Sequence, residues 1–509
     1  MPQPEFSIDR HFAGRALFHL ACVFALAWPA VVNRQPFFFP DTTSYVRAGD
    51  IILHKASGGR ITTPWSAHYQ ASPAGSTPGE DTAKAPARIA RGNDVASGNI
   101  MAGRSPYFGA LLFAGYLTSD FWLFVLFQAA VTYALIRLSL GCFGASGPRR
   151  VGVAVGFVSL LTTAALFDSY LMPDALAGQG LLALAILVVR RDSLARRELA
   201  FLFGVLALSV ASHLTHLVFV LVAMAALFVH ERLAGEPPAS RRMLLRFTIA
   251  LALVGGGANA LTDLVVSRVF GKTPLLVPFL TSRFIEDGPG TRYVREHCQD
   301  RRFVVCEFAD RFPTTALDFL WSHDPAKGVF MPADPDTRRR LCEEDKAFAL
   351  EVLKHYPMDQ GWSVLRNTAI QAGLFDSFWL NYGGTPEPGW WSSLPEAERD
   401  RMRLSRSGTN AWPVGFLTGL HYAVVLLSVG FLAVVHLRRS GVGSVLAGVS
   451  GPGLRAWLVV LAVGLLTNAA LGGAISVPQS RYQARVIWVV PLTALLVAMG
   501  KRGERRNQR

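Results

Sequence analysis

The chain has 509 residues, of which 51% are apolar and 17% charged, and its formal charge is +14. A soluble domain of this size rarely carries so much apolar composition, and long charge-poor runs recur along the sequence, so it reads as an all-α polytopic membrane protein. In a soluble protein the basic excess would suggest a nucleic-acid partner. Here Lys and Arg concentrate in short loops and in the tail Lys501-Arg502-Gly503-Glu504-Arg505-Arg506, which is how topology is set against anionic lipid, and nucleic acid is excluded as a partner.

Taking the chain in order, a span needs about 20 apolar residues, and the sequence predicts ten, at about 12–32, 121–140, 151–167, 175–189, 199–211, 214–229, 244–261, 413–435, 454–471 and 486–499. The first is followed by Asn33-Arg34-Gln35 with no small-residue cleavage site, so it is expected to stay as an anchor. Residues 71–99, rich in Pro, Gly, Ala, Ser and Thr without periodicity, are expected to be disordered. The apolar stretch 108–117 is too short to span and is broken from the next run by Thr118-Ser119-Asp120, so a helix lying against the membrane is expected there.

With the N-terminus in the cytoplasm, Arg137/Arg149/Arg150, Arg190/Arg191/Arg196/Arg197, Arg232/Arg241/Arg242, Arg438/Arg439 and the C-terminal tail fall on one side. This predicts a protein of the cell (inner) membrane with both termini cytoplasmic. Three parts follow: a transmembrane module at 1–261 with a first outer loop at 33–105, an extracytoplasmic insert at 262–412, and C-terminal spans with a basic tail at 413–509. Helical spacing at 338–356 and 361–375 makes the insert mostly α-helical, and Gly383-Gly384-Thr385-Pro386-Glu387-Pro388 reads as a loop. Composition leaves the oligomeric state open.

Of five cysteines, Cys22 and Cys142 are expected to be buried or reduced, while Cys298, Cys306 and Cys342 fall in the insert. A Cys298–Cys306 bridge on the extracytoplasmic side would close a short loop, worth roughly 2–3 kcal/mol on the chain-entropy model, and leave Cys342 over. With His297 the three cysteines have the residue types of a zinc set, but their spacing matches no usual zinc pattern.

The polar residues predicted on the periplasmic side carry the candidate chemistry. Asp41 opens Asp41-Thr42-Thr43-Ser44-Tyr45-Val46-Arg47 just beyond the first span, where it reads equally as a helix cap and as an exposed carboxylate. Asp168 and Asp174 bracket a short turn between two spans, and Asp174 after Pro173 also suits a helix start. His213 and His216 share a helix face as metal ligands or as donors lining a polar crevice, and two ligands alone assign no metal site. Arg481 and Tyr482, at the head of the last span, suit either a lipid phosphate or an interfacial belt.

Four short motifs in this order, Pro40-Asp41-Thr42-Thr43-Ser44-Tyr45, Gly103-Arg104-Ser105-Pro106-Tyr107, Met172-Pro173-Asp174-Ala175-Leu176-Ala177-Gly178 and Ser480-Arg481-Tyr482, resemble the GT-C membrane glycosyltransferases, which include protein mannosyltransferases and the aminoarabinose transferases of lipid A. The resemblance covers 12–229 and 413–499 and leaves the insert outside it. It implies transfer of a sugar from a polyprenyl-phosphate-linked donor to a glycolipid, polysaccharide or protein acceptor, with membrane lipid as the setting. Asp41 then looks like the first-loop catalytic carboxylate and Asp174 like the second-loop acid. Tyr45, Arg47, Arg104, Asp168, His213, His216, Arg481 and Tyr482 become substrate-binding candidates. Relatives often carry Lys after a Leu-Thr pair where this chain has His216, a departure that touches the phosphate contact. No particular cofactor is required, although the chemistry admits a divalent cation.

A transporter or flippase for a lipid-linked or anionic precursor is the alternative. It should show mid-membrane charges or a repeat between halves, whereas Gly255-Gly256-Gly257 is the one clear break in the spans. A scaffold of an envelope-polysaccharide assembly is the third reading.

Overall fold

Hydrocarbon offers a backbone no hydrogen-bond partner, so an apolar chain that enters it closes its bonds within helices. A computed structural model describes residues 10–71, 101–102, 104–235, 238–271, 273–300, 302–440 and 451–500. Among these residues there are 21 α-helices and one parallel pair of two-residue strands, Met101–Ala102 beside Leu275–Leu276. Seven helices are long and apolar enough to cross a membrane: Ala13–Asn33, Trp122–Cys142, Leu214–Leu233, Ser240–Arg268, Val414–Leu437, Gly453–Ala474 and Ser480–Met499. Exposed Leu253, Leu427, Phe416 and Leu466 on their outer surfaces suit contact with lipid. The expected disorder at 71–99 and the basic tail at 501–509 lie outside the described residues, apart from Ala71, which ends a helix.

The three other expected spans are shorter helices, Pro148–Leu161, Ala175–Arg190 and Arg196–Ser212. The second is the hub of the bundle. It is apolar all round and buried from Ala175 to Val188, because Trp122–Cys142, Arg196–Ser212 and Gly451–Ala474 all pack on it. The predicted span at 151–167 is interrupted. Thr162 is extended, and a separate short helix, Ala164–Asp168, follows it. The break is held by hydroxyls, Thr162 Oγ1 donating to the Val158 carbonyl at 2.6 Å and Thr163 Oγ1 to the Ala484 carbonyl at 2.6 Å.

The Pro238–Phe270 helix runs nine residues past the predicted end at 261. Its 33 residues make about 50 Å of helix, well beyond a hydrocarbon core of about 30 Å, so its end projects out of an apolar layer. The insert then divides in two. Residues 277–356 form a small core of their own around Phe284, Tyr293, Phe319, Leu341 and Phe348. A disulfide joins Cys298 and Cys306 there, with Cα atoms 5.5 Å apart, and Cys342 is a free, half-buried thiol. By contrast Phe375, Leu380, Trp391, Met402 and Trp412 belong to the core of the main bundle. Asn33 fastens this second half, its Oδ1 accepting from Ser407 N at 2.9 Å and Trp412 Nε1 at 3.1 Å.

The stretch predicted to lie along the membrane is the Pro106–Ser119 helix, capped by Ser105, and it packs against the Pro40–Ala56 helix, which carries Asp41 in its first turn. Glycines allow the close approach. A Cβ on Gly109 would lie 2.6 Å from the Tyr45 carbonyl oxygen, and one on Gly49 would lie 2.6 Å from the Phe113 Cβ. Gly109→Val is therefore expected to lower stability by about 1–3 kcal/mol through overpacking. The check is the thermal unfolding midpoint in detergent, which Gly256→Val, at a position with nothing within 4 Å, should leave in place.

Candidate functional site

The Pro40–Ala56 helix starts with its proline in the first position, and the backbone contacts at its entry are made by threonines. Phe39 N donates to Thr42 Oγ1 at 3.0 Å, and Thr43 Oγ1 donates to the Pro40 carbonyl at 2.9 Å. Asp41 instead turns its carboxylate to Arg104, whose Nη2 lies 2.5 Å away.

Backbone bonds join this segment to the turn that carries Asp174. Phe37 N donates to the Ser169 carbonyl at 2.9 Å, and Leu171 N donates to the Phe37 carbonyl at 3.0 Å. Thr42 Oγ1 adds a bond to the Leu171 carbonyl at 3.1 Å. Two stretches more than a hundred residues apart in the chain thus run side by side.

Asp174 is buried and doubly occupied. Arg481 Nη1 donates to its Oδ2 at 3.0 Å, and Arg485 Nη1 to its Oδ1 at 3.3 Å. Both arginines lie on the Ser480–Ile487 helix, four residues apart and therefore on one face. Arg485 Nη2 also donates to Asn468 Oδ1 at 3.0 Å, and the Arg481 guanidinium lies 4.1 Å from the centre of the Phe39 ring. That last contact joins the two acid–arginine groups. Together they hold Arg104, Arg481 and Arg485 against Asp41 and Asp174, three positive charges against two negative, a formal excess of one. Nε of both Arg481 and Arg485 is buried without a hydrogen-bond partner.

The two carboxylates differ in access. The Asp41 and Arg104 side chains keep 26% and 30% of their surface, whereas Asp174 keeps 2%. Tyr45 lies between the groups, its ring edge-on to Phe108 with centroids 5.0 Å apart. Burial pushes its phenol above the usual tyrosine range. Arg104 and Arg481 oppose that shift, and Asp41 and Asp174 add to it.

The remaining candidates take different places around these groups. His213 caps the Leu214–Leu233 helix, its Nδ1 accepting from Thr215 N at 3.2 Å, and its ring stacks on His216 with centroids 5.1 Å apart. Burial first, then Arg485, lowers the His213 imidazole to about 3, so the ring is neutral. His216 is fully buried, with Nδ1 3.2 Å from both the hydroxyl and the carbonyl of Ser209 and Nε2 without a partner. Tyr482 is half-buried, its hydroxyl 3.2 Å from Ser476 Oγ and its ring facing both Arg481 and Arg485. Arg47 is half-buried on the Asp41 helix.

Asp168 leaves the group. The short Ala164–Asp168 helix turns it inward, where Thr132 Oγ1 donates to its Oδ1 at 2.8 Å and Gln179 Nε2 at 3.2 Å. Its carboxylate thus bridges two neighbouring helices through Thr132 and Gln179. Among the described residues no three His, Cys, Asp or Glu side chains gather in a group that could hold a metal ion.

Three contributors escape the motif reading: Arg485, Asn468 and Phe39. The spacing of Arg485 was the available signal, since two arginines four apart at the head of an apolar helix need a buried acid between them and the protein. No protein-family model, curated protein or solved structure matches the chain.

Removing the charge of Asp174 would leave two buried guanidiniums without their carboxylate. Asp174→Asn is expected to cost about 3–5 kcal/mol, read as a lower thermal midpoint and a smaller monodisperse fraction on size exclusion. Adding Arg485→Gln should return part of that loss, and a single variant as stable as the parent would show that the ion group does not hold the helices.

Proposed function

We propose that the protein is a glycosyltransferase that moves a sugar from a polyprenyl-phosphate-linked donor to a hydroxyl of a glycolipid, polysaccharide or protein acceptor. The observation that carries this reading is the joining of one accessible acid–arginine pair, Asp41 with Arg104, to one buried group, Asp174 with Arg481 and Arg485, across the paired 37–42 and 169–171 segments. The order of the four short motifs supports the same assignment, as does the positive excess of the site. Basic loops favour ten spans in the inner membrane, cytoplasmic termini and a site on the periplasmic face.

In this reading the acceptor hydroxyl gives its proton to Asp41 as its oxygen attacks the anomeric carbon. The bond from that carbon to the phosphate oxygen breaks, and its electron pair leaves with the polyprenyl phosphate. One displacement inverts the anomeric centre, and no covalent enzyme intermediate forms. Asp41 must be released from Arg104 to act as the base, and the incoming phosphate supplies the competing anion, since guanidinium binds phosphate through paired N–H donors. Arg481 and Arg104 then stabilise the charge that builds on the leaving oxygen.

Asp174 takes a different part from the second acid that the motif order implies. With both oxygens held by arginines, it acts as a positioning residue that keeps Arg481 against Phe39. His216, whose Nε2 has no partner, offers a hydrogen bond where the GT-C enzymes that the chain resembles often place a lysine. Among the described residues the acids do not gather with other ligands into a group of three that could hold a cation.

The test uses purified protein, a synthetic polyprenyl-phosphate sugar and a hydroxyl acceptor mixture. Asp41→Asn is expected to lower transfer by about 100-fold or more, the usual contribution of a general base, with the thermal midpoint retained. Substantial remaining transfer would refute Asp41 as the base. Vectorial uptake into vesicles without sugar transfer by the parent would replace the enzyme with a transporter.

A further inference from the structure

The Pro357–Gly373 helix of the insert is built inside out. Its polar residues face the protein: Gln360, Asn367 and Gln371 are buried. Gln360 Nε2 donates to Asp287 Oδ2 and Asn367 Nδ2 to Asp287 Oδ1, each at 2.8 Å. Gln371 Nε2 donates to the Gln479 carbonyl at 3.0 Å, and Gln479 N donates to Gln371 Oε1 at 2.8 Å. On the opposite face Met358, Trp362 and Leu365 remain 82%, 69% and 65% exposed. At 3.6 residues per turn the two sets lie about half a turn apart. A helix in water does the reverse, sending its apolar stripe to the core.

What covers this face follows from where the helix sits. It packs closely along the Gly451–Ala474 helix, whose Gly473 lets the backbones meet: a Cβ there would lie 2.6 Å from the Asn367 carbonyl carbon. That neighbour is one of the helices apolar enough to cross a membrane, and its own Leu466 is exposed, as is Ile475 just beyond its end. The outward stripe therefore continues the apolar outer surface of a span. Arg366 shares the exposed side of the helix, where its stem can lie along acyl chains while the guanidinium reaches lipid phosphate.

We propose that the Pro357–Gly373 helix is a lipid-contacting element that seats the insert on the bilayer through Met358, Trp362 and Leu365. The Gln371 pair then ties this lipid-held helix to Gln479, which precedes the helix of Arg481 and Arg485, so the bilayer helps to set the position of those arginines.

Spin labels on Trp362→Cys and Leu365→Cys, each in a Cys342→Ser background, test this in nanodiscs of phosphatidylethanolamine and phosphatidylglycerol. The unsubstituted background corrects for the buried Cys22 and Cys142. Collision with oxygen is expected to exceed collision with a water-soluble nickel chelate severalfold at 362 and 365, and the order should reverse at Lys327→Cys in an exposed turn of the insert. Nickel access at 362 and 365 equal to that at 327 would place the face in water and overturn the proposal. Shielding from both reagents, with dipolar broadening relieved by unlabelled protein, would overturn it in favour of contact with a second copy of the chain.

Discussion

The arrangement depends on keeping Arg481 and Arg485 charged inside a packed helical bundle. A buried guanidinium is tolerated only when a carboxylate and further hydrogen bonds replace water. Asp174 supplies the carboxylate and Asn468 one of the bonds, so helices from both ends of the chain must meet at one place. The Ala175–Arg190 helix can be short and apolar on every side because its neighbours enclose it, and Asp174 sits at its N-cap position. Close packing is part of the same requirement. A Cβ on Gly178 would meet the Trp488 side chain and the Arg485 carbonyl, so the two elements approach nearly backbone to backbone beside the ion group.

The contrast between the two acids follows from that construction. Asp174 is committed to holding charge inside the bundle, while Asp41 stands at a helix start on a loop segment and shares its exposed side with Arg104. A partly exposed ion pair is worth little as a fastening. The fold at that point is instead held by the backbone pairing of Phe37 with Ser169 and Leu171, by Thr42, and by the aromatic contacts of Phe37, Phe39 and Tyr170. Asp41 and Arg104 are thus free to change partners without loosening the scaffold that presents them.

Much of this was legible in the sequence because it rests on local chemistry. Charge-poor runs of sufficient length are helices, and Asp41, Arg104, Asp174 and Arg481 each stand in a short motif beside an apolar run. Other features depend on partners that a linear pattern does not show. The break at Thr162 lies between apolar flanks, and its hydroxyl bonds become visible only once Ala484 is placed beside Thr163. Asp168 and Asp174 share one turn and look alike in sequence, yet helix packing sends the first inward to Thr132 and Gln179 and the second to two arginines. The division of the insert was hidden for a related reason, since helical spacing on either side of Tyr356 does not say which core each half joins.

Helical periodicity carries one further ambiguity, and the Pro357–Gly373 helix exposes it. The spacing of Met358, Trp362 and Leu365 establishes an apolar face but does not say whether that face meets protein or solvent. The orientation is decided by Asp287. Its carboxylate, ion-paired with the buried Arg283, also accepts from Gln360 and Asn367, so rotating the helix to bury the apolar stripe would take two hydrogen bonds from that buried pair and leave two amides without partners. Covering apolar side chains with protein gains up to about 1.5–3 kcal/mol each in water, and much less where lipid could cover them instead, so in a bilayer the hydrogen bonds decide the orientation. The polar face turns inward because a carboxylate requires partners more strictly than an apolar side chain requires protein. In a membrane setting the same constraint that places Asp174 among arginines therefore also fixes how the insert meets the bundle.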